Sequence, residues 1–317
     1  MVFTTVLIFV AAIAVLVVAG SIMVKTLSKI AAFLKMSEYV IGFIILAFAT
    51  SLPEFFVGIS SAINHTPAII LGTVIGSNIA NLTIIIGIPV LLSRGIKIHS
   101  KKTKKDSLWM VGMMILPLVF MISGSTISRV EGGLLLVAFS LYIYKLFKER
   151  KQFTKEFENH ISRWAMVGSV FIFIISLVLL YISSTLVVKY GSLLALDLAI
   201  PAILVGLFIV AIGTSLPELV AGISAVMHGH HEMSVGNIIG SCIANSTLVL
   251  GVSALIFPIT ATFLLFIISI SFMVVVGIIF TTFVERGDTL SWTEGLSLLL
   301  LYVLFLIVEF YMKGFIR

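Results

Sequence analysis

Apolar residues in this chain run in continuous blocks rather than alternating or forming narrow stripes. Ten such blocks stand out, near 3–25, 38–64, 67–92, 107–124, 128–147, 164–189, 198–228, 233–256, 258–283 and 290–312. About twenty consecutive apolar residues suffice for a helix to cross a bilayer. Barrel strands alternate apolar and polar residues over about ten positions, so these unbroken runs argue against a transmembrane β-barrel. The pattern predicts an all-α polytopic membrane protein with ten transmembrane helices. The longest polar stretch, Lys145–Arg163, divides the ten spans into two sets of five. It is too short to form a separate soluble domain.

Composition sharpens this reading. Of 317 residues, 60% are hydrophobic and 11% charged, against about 45–50% and 25% in soluble domains. The mean hydropathy is +1.24. A soluble enzyme, a disordered chain and a nucleic-acid-binding module are excluded. The net charge of +6 reflects loop placement. Sixteen Lys and Arg flank the ends of odd-numbered spans or the loops after them, and four (Arg129, Lys189, Lys313, Arg317) lie on the other side. The positive-inside rule therefore predicts a multi-pass protein of the cell membrane with both termini extracellular. Residues 1–20 contain no Lys or Arg, so the first span reads as a retained helix and not a signal peptide. A single cysteine, Cys242, excludes an intrachain disulfide and a cysteine-based metal cluster.

A duplication carries the most information. Residues 40–54 read VIGFIILAFATSLPE and residues 204–218 read LVGLFIVAIGTSLPE. LGTVIGSNIANLTIIIG at 71–87 matches VGNIIGSCIANSTLVLG at 235–251, again 164 residues apart. A fainter echo pairs SRVEGG at 128–133 with SWTEGL at 291–296. Each unit holds five spans, an odd number, so the second enters the membrane the other way up. The expected organisation is a first five-helix repeat over 1–150, a cytoplasmic linker over 151–163 and an inverted repeat over 164–317. Inverted repeats of this kind place a transport site at their interface, near the bilayer midplane.

The repeated residues define that site's chemistry. Glu54 and Glu218 are the two carboxylates in the middle of expected spans, where an ionisable group is expensive and rarely kept without a task. Pro53 and Pro217 precede them, and a proline inside a helix removes a hydrogen bond and displaces the carbonyl four residues back. The backbone around Ala49 and Gly213, and around Ala47 and Ala211, is thereby expected to open. Thr50 and Glu54 share a helix face, as do Ser77 and Asn81, and Ser241 and Asn245. Carboxylates, hydroxyls, amides and carbonyls are hard oxygen donors that suit Ca²⁺ and also serve Na⁺. No Cys–His cluster lies at membrane depth, which argues against a thiolate or zinc site.

The paired TSLPE and IGS…IAN blocks resemble the repeats of the cation/Ca²⁺ exchanger superfamily, with prokaryotic Na⁺/Ca²⁺ exchangers as the nearest branch. The resemblance spans essentially the whole chain. It implies that spans 2–3 and 7–8 surround the ions, while spans 1 and 6 slide across them to give alternating access. It also implies a ligand set of Ala47, Thr50, Ser51, Glu54, Ser77 and Asn81 in the first repeat. In the second the set is Ala211, Thr214, Ser215, Glu218, Ser241 and Asn245. The alanines would offer carbonyls, the glutamates would ligate Ca²⁺, and the hydroxyls would serve mostly Na⁺. The function so implied is a secondary-active antiporter whose Ca²⁺ extrusion is driven by a Na⁺ gradient, with the ions as substrates, no cofactor, membrane lipid as surroundings, no nucleic acid and no obligate protein partner.

Three positions depart from the family pattern: Ala49 for glycine, Thr73 for the asparagine present at Asn237, and Asn245 for aspartate. The last leaves two formal negative charges in the site instead of three. Two glutamates balance one Ca²⁺ or two protons, so an H⁺/Ca²⁺ exchanger is the alternative. A passive cation channel with a two-glutamate selectivity ring is a more remote one. The H-G-H-H run at His228, His230 and His231 reads as a solvated loop. The basic run Lys101–Lys105 follows from orientation.

Overall fold

The apolar blocks fold as helices, because a backbone surrounded by hydrocarbon must satisfy its own hydrogen bonds. The computed structural model describes residues 2–33, 46–149, 163–260 and 263–314. Helix α1 runs Val2–Phe33. A broken rod follows, α2 over Leu46–Thr50 and α3 over Leu52–Ile63. The next rod is α4 (Pro67–Ala80), a π-helical segment (Asn81–Ile85) and α5 (Ile86–Leu92). Strand β1 (Gly95–Lys97), α6 (Lys101–Gly124), β2 (Thr126–Ile127) and α7 (Arg129–Glu149) complete the first half.

The second half opens with α8, Arg163–Asp197. Its broken rod comprises α9 (Ala202–Leu204), a π segment (Val205–Val210), α10 (Ala211–Thr214) and α11 (Leu216–Met227). Then come α12 (His231–Ala244), a π segment (Asn245–Val249) and α13 (Leu250–Ile256). Strand β3 (Ile259–Thr260), α14 (Phe263–Arg286), β4 (Thr289–Ser291) and α15 (Trp292–Gly314) close the chain.

Among the described residues, eight helical rods are long and apolar enough to cross a membrane. The protein is thus a mostly helical polytopic membrane protein. The expected second span is described only from Leu46 onward, and its residues 38–45 lie outside the described residues, as does most of the 151–163 linker. Lys189, expected in an outer loop, lies inside α8 instead, because that helix continues eight residues past the expected end of its span. The all-α expectation gains four short strands, which pair antiparallel as β1 with β4 and β2 with β3. They were too short to leave a period in the sequence.

Backbone details recur at the 164-residue spacing of the repeat. Both broken rods bend at a serine with nearly the same dihedrals, φ −82° and ψ 2° at Ser51, φ −85° and ψ 2° at Ser215. The π segments begin at Asn81 and Asn245. His65 and Gly229, in the following turns, are both left-handed, with φ of 55° and 81°. The SRVEGG and SWTEGL echo is a capping box. Glu131 accepts from the Ser128 amide at 2.7 Å and Glu294 from the Ser291 amide at 2.7 Å, satisfying amides that α7 and α15 leave open.

The rods differ in depth. Within Pro67–Leu92, 94% of the most apolar window is buried, against 17% in Trp164–Asp197. The rods holding α4 and α12 therefore form the centre, while α8 faces lipid. Helix α1 pairs with α8 through Phe9, Leu16 and Met23 against Leu180, Val187 and Val188. At the centre, α4 meets the 202–210 segment backbone to backbone. A Cβ on Gly72 would overlap the Ile203 carbonyl, and one on Gly76 the Leu207 carbonyl. Small residues permit such close approach between membrane helices. Gly76→Val is expected to destabilise the fold by about 1–3 kcal/mol or more, since neither backbone can yield. A lowered unfolding midpoint of the detergent-solubilised protein checks this, and an unchanged midpoint would refute the tight contact.

Candidate cation-binding site

The two kinks meet at the centre of the bundle. Pro53 and Pro217 each stand in the first turn of α3 and α11, where a missing amide is tolerated. Each also ends the preceding short helix at a serine. Glu54 and Glu218 follow in those first turns, where a carboxylate complements the positive helix terminus. Carbonyls at the ends of α2 and α10 face the opposite way, an arrangement that broken membrane helices use for cations.

All twelve residues expected to ligate ions lie in buried positions, and ten of them are fully enclosed; only Ala47 (4%) and Ser51 (3%) retain any exposure. Their hydroxyls reach across the two halves. Ser77 Oγ donates to Glu54 Oε1 at 3.3 Å and lies 3.4 Å from both the Ala211 carbonyl and Thr214 Oγ1. Its counterpart Ser241 Oγ donates to Glu218 Oε1 at 3.4 Å and contacts the Ala47 carbonyl at 3.4 Å and Thr50 Oγ1 at 3.2 Å. Each serine thus links its own half's glutamate to the other half's kink.

The Ala47 and Ala211 carbonyls gather donors rather than standing open. Thr50 Oγ1 (3.3 Å), Ser51 Oγ (3.0 Å) and the Ser51 amide (3.3 Å) point to Ala47 O. Thr214 Oγ1 (3.2 Å) and the Ser215 amide (3.1 Å) point to Ala211 O. The symmetry is incomplete at the kink serines. Ser215 Oγ donates to Glu54 Oε1 at 3.4 Å, whereas Ser51 Oγ turns to its own helix.

Six buried atoms of this cluster have no hydrogen-bond partner: Oε2 of Glu54 and of Glu218, and both side-chain polar atoms of Asn81 and of Asn245. A buried polar group without a partner costs about 1–3 kcal/mol, more if charged. Buried polar atoms of this kind also occur elsewhere among the described residues, on Ser234 and Ser253 for example, but the six here fall on residues that the repeat places equivalently. The π segments begin at those same asparagines, as such bulges often do at functional sites.

One residue escaped the sequence reading as a site member. Asn237 Oδ1 accepts from Thr50 Oγ1 at 3.2 Å, bringing α12 to the first kink. Its signal was its spacing, one turn before Ser241, although its counterpart Thr73 bonds back to the Ile69 carbonyl at 2.8 Å. Glu54 and Glu218 are also not the only buried acids. Asp106 pairs with Lys145 at 2.8 Å, and Glu309 accepts from Ser269. These sit toward helix ends, away from the kinks. The histidines do not form a metal centre: among the described residues no three His, Cys, Asp or Glu side chains gather to hold an ion. A cation here would be held by two carboxylates with hydroxyl, amide and carbonyl oxygens.

Known proteins share this plan. A profile of the sodium/calcium exchanger protein family matches residues 4–148 and 168–311. The sodium/calcium exchanger MaX1 of Methanosarcina acetivorans is 30% identical, across 91% of this chain and 93% of its own. The inner membrane protein YrbG of Escherichia coli is 32% identical, across 84% and 82%. The structure of the sodium-calcium exchanger NCX_Mj soaked with 2.5 mM Na⁺ and 1 mM Sr²⁺ superposes with a TM-score of 0.69 at 28% identity, covering 97% of this chain and 99% of the other. The match extends through both halves of the repeat and both kinks, and on that ground the chain belongs to the sodium/calcium exchanger protein family.

Proposed function

We propose that this protein is a secondary-active Ca²⁺/cation antiporter that works by alternating access, its Ca²⁺ extrusion driven by a Na⁺ gradient. The carrying observation is the cross-braced cluster at the two kinks, with unpartnered oxygens on Glu54 and Glu218. Family membership supports Ca²⁺ as a substrate. In this reading the chain makes ten passes as two inverted five-helix repeats, over 1–150 and 164–317, with both termini extracellular. The equivalent kinks, π segments and strand pairs support that organisation.

The chemistry is competition for one set of oxygens. Ca²⁺ takes about 6–8 oxygen ligands. Glu54 and Glu218 supply its two balancing charges, and Asn81 and Asn245 offer amide oxygens. Ala47, Thr50, Ser51 and Ser77, with Ala211, Thr214, Ser215 and Ser241, supply carbonyls and hydroxyls for Na⁺. When an ion enters, the hydroxyls that now bond to carboxylates and carbonyls rotate their lone pairs towards it. Two uncompensated carboxylates in a low-dielectric centre oppose the sliding of α1 and α8 across it. Loaded forms are neutralised and cross, so the fluxes are coupled.

Asn245 favours a second reading, H⁺/Ca²⁺ exchange, because protons on Glu54 and Glu218 balance one Ca²⁺ without a third acid. The hydroxyl set, complete in both halves, favours Na⁺. Proteoliposomes at clamped membrane potential separate the two. Ca²⁺ uptake is expected with an imposed Na⁺ gradient and not with a pH gradient alone. Uptake driven only by the pH gradient overturns Na⁺ coupling, and uptake indifferent to both overturns exchange. Asn245→Asp should preserve the site while altering its Na⁺ dependence.

A further inference from the structure

A cavity of about 490 Å³ lies between α1 and α11 and reaches Pro217 at the second kink. Its walls include Val24, Val220, Ala221 and Met233, and Pro217 lies at its inner end. Val220 is 56% exposed along it. At the mouth stand Lys25 and Lys29, one turn apart on the same face of α1, with His228 across from them on the other wall. Among the described residues no acidic side chain lines it.

The equivalent space in the other half is closed. Counting 164 residues back, Val220, Ala221 and Met233 correspond to Phe56, Val57 and Ile69. Val57 and Ile69 are fully buried in the cluster that packs α3 against α8, with Phe56 beside them. The side chains on the α11 side are smaller or more flexible than their counterparts in the first half.

An apolar trough with a basic mouth is ill suited to conduct a divalent cation, but it complements an anionic amphiphile. We infer that this cavity binds an anionic phospholipid from the leaflet at the Lys25 end, its acidic headgroup on Lys25 and Lys29 and an acyl chain along Val220, Ala221 and Met233. Basic residues near a membrane surface attract acidic headgroups, and a cavity of this size is in the range that encloses small ligands. The chain would extend towards Pro217, one residue before Glu218, and would stand between α1 and the second kink. The inference does not rest on the exchange reading, because binding is measured without transport.

The test is native mass spectrometry of the detergent-solubilised full chain, titrated with phosphatidylglycerol and separately with phosphatidylcholine. One phosphatidylglycerol is expected to persist at activation energies that strip phosphatidylcholine. Lys25→Gln/Lys29→Gln should lower its occupancy at least fivefold, while Lys101→Gln/Lys105→Gln, in the basic first turns of α6, should leave it intact. Ala221→Trp, which fills the cavity and keeps both lysines, should also displace it. Equal retention of the two lipids overturns the site, as does phosphatidylglycerol that survives Lys25→Gln/Lys29→Gln. Equal loss in both lysine pairs means surface charge alone attracts the lipid. Retention in Ala221→Trp with loss in Lys25→Gln/Lys29→Gln overturns the acyl-chain placement. If Ala221→Trp does not fold, Ala221→Leu takes its place.

Discussion

Replacing Glu54 or Glu218 by glutamine is expected to abolish Ca²⁺ transport and leave the fold intact. Glutamine keeps the carbonyl that Oε1 now offers to Ser77 and Ser215 at Glu54, or to Ser241 at Glu218. Its amide takes the place of Oε2, which has no partner in either residue. The internal bonding therefore survives the exchange. The charge does not, and with Asn245 in place of a third acid nothing else in the cluster supplies it. Losing even about 3 kcal/mol of ion binding lowers affinity by about 100-fold, so uptake in proteoliposomes should fall to background. Added Ca²⁺ stabilises a protein that binds it only when folded. It should raise the unfolding midpoint of the wild type but not of either variant. Full uptake by Glu54→Gln or Glu218→Gln would falsify the ligand assignment.

Gly20 should tolerate no branched side chain if α1 moves over the kinks during transport. A Cβ at Gly20 would lie 2.9 Å from Pro53 Cγ and 3.4 Å from Pro217 Cγ, so this glycine sits over both prolines at once. Six residues on, Thr26 bonds back to the Ile22 and Met23 carbonyls at 3.0 Å and 2.9 Å. Proline rings cannot swing away from an intruding atom as a flexible side chain would, because the ring is fused to the backbone and φ is fixed. Gly20→Leu is expected to reduce Ca²⁺ flux by at least about tenfold, equal to about 1.4 kcal/mol on the barrier, with Gly20→Ala intermediate. The ion cluster is untouched, so Ca²⁺ should still raise the unfolding midpoint. Flux at the wild-type rate in Gly20→Leu would show that α1 does not pass over Pro53 and Pro217.

These two variants separate binding from movement. On the proposed mechanism, the glutamine variants remove the ion's partners and leave α1 free to move. The Gly20 variant keeps the partners and obstructs the helix.

The sequence by itself determined the helical membrane class, the two halves and their equivalence, and the identity of the kink residues. Those properties are local or covalent. A proline bends its own helix, a run of twenty apolar residues crosses on its own, and a repeated motif is visible however far apart its copies lie. The faint SRVEGG and SWTEGL echo was legible as a repeat, and its meaning as a capping box needed the Ser128–Glu131 and Ser291–Glu294 bonds. Only the tertiary structure decided which half braces which: Ser77 to Ala211, Ser241 to Thr50, Ser215 to Glu54 and Asn237 to Thr50 are pairings across 134 to 191 residues. No periodicity encodes such pairings, because they depend on how two rods cross. The same holds for the unpartnered oxygens of Glu54 and Glu218, for Gly20 between two prolines and for the one-sided cavity beside α11. Each is set by packing between elements whose local sequences would have allowed several other arrangements.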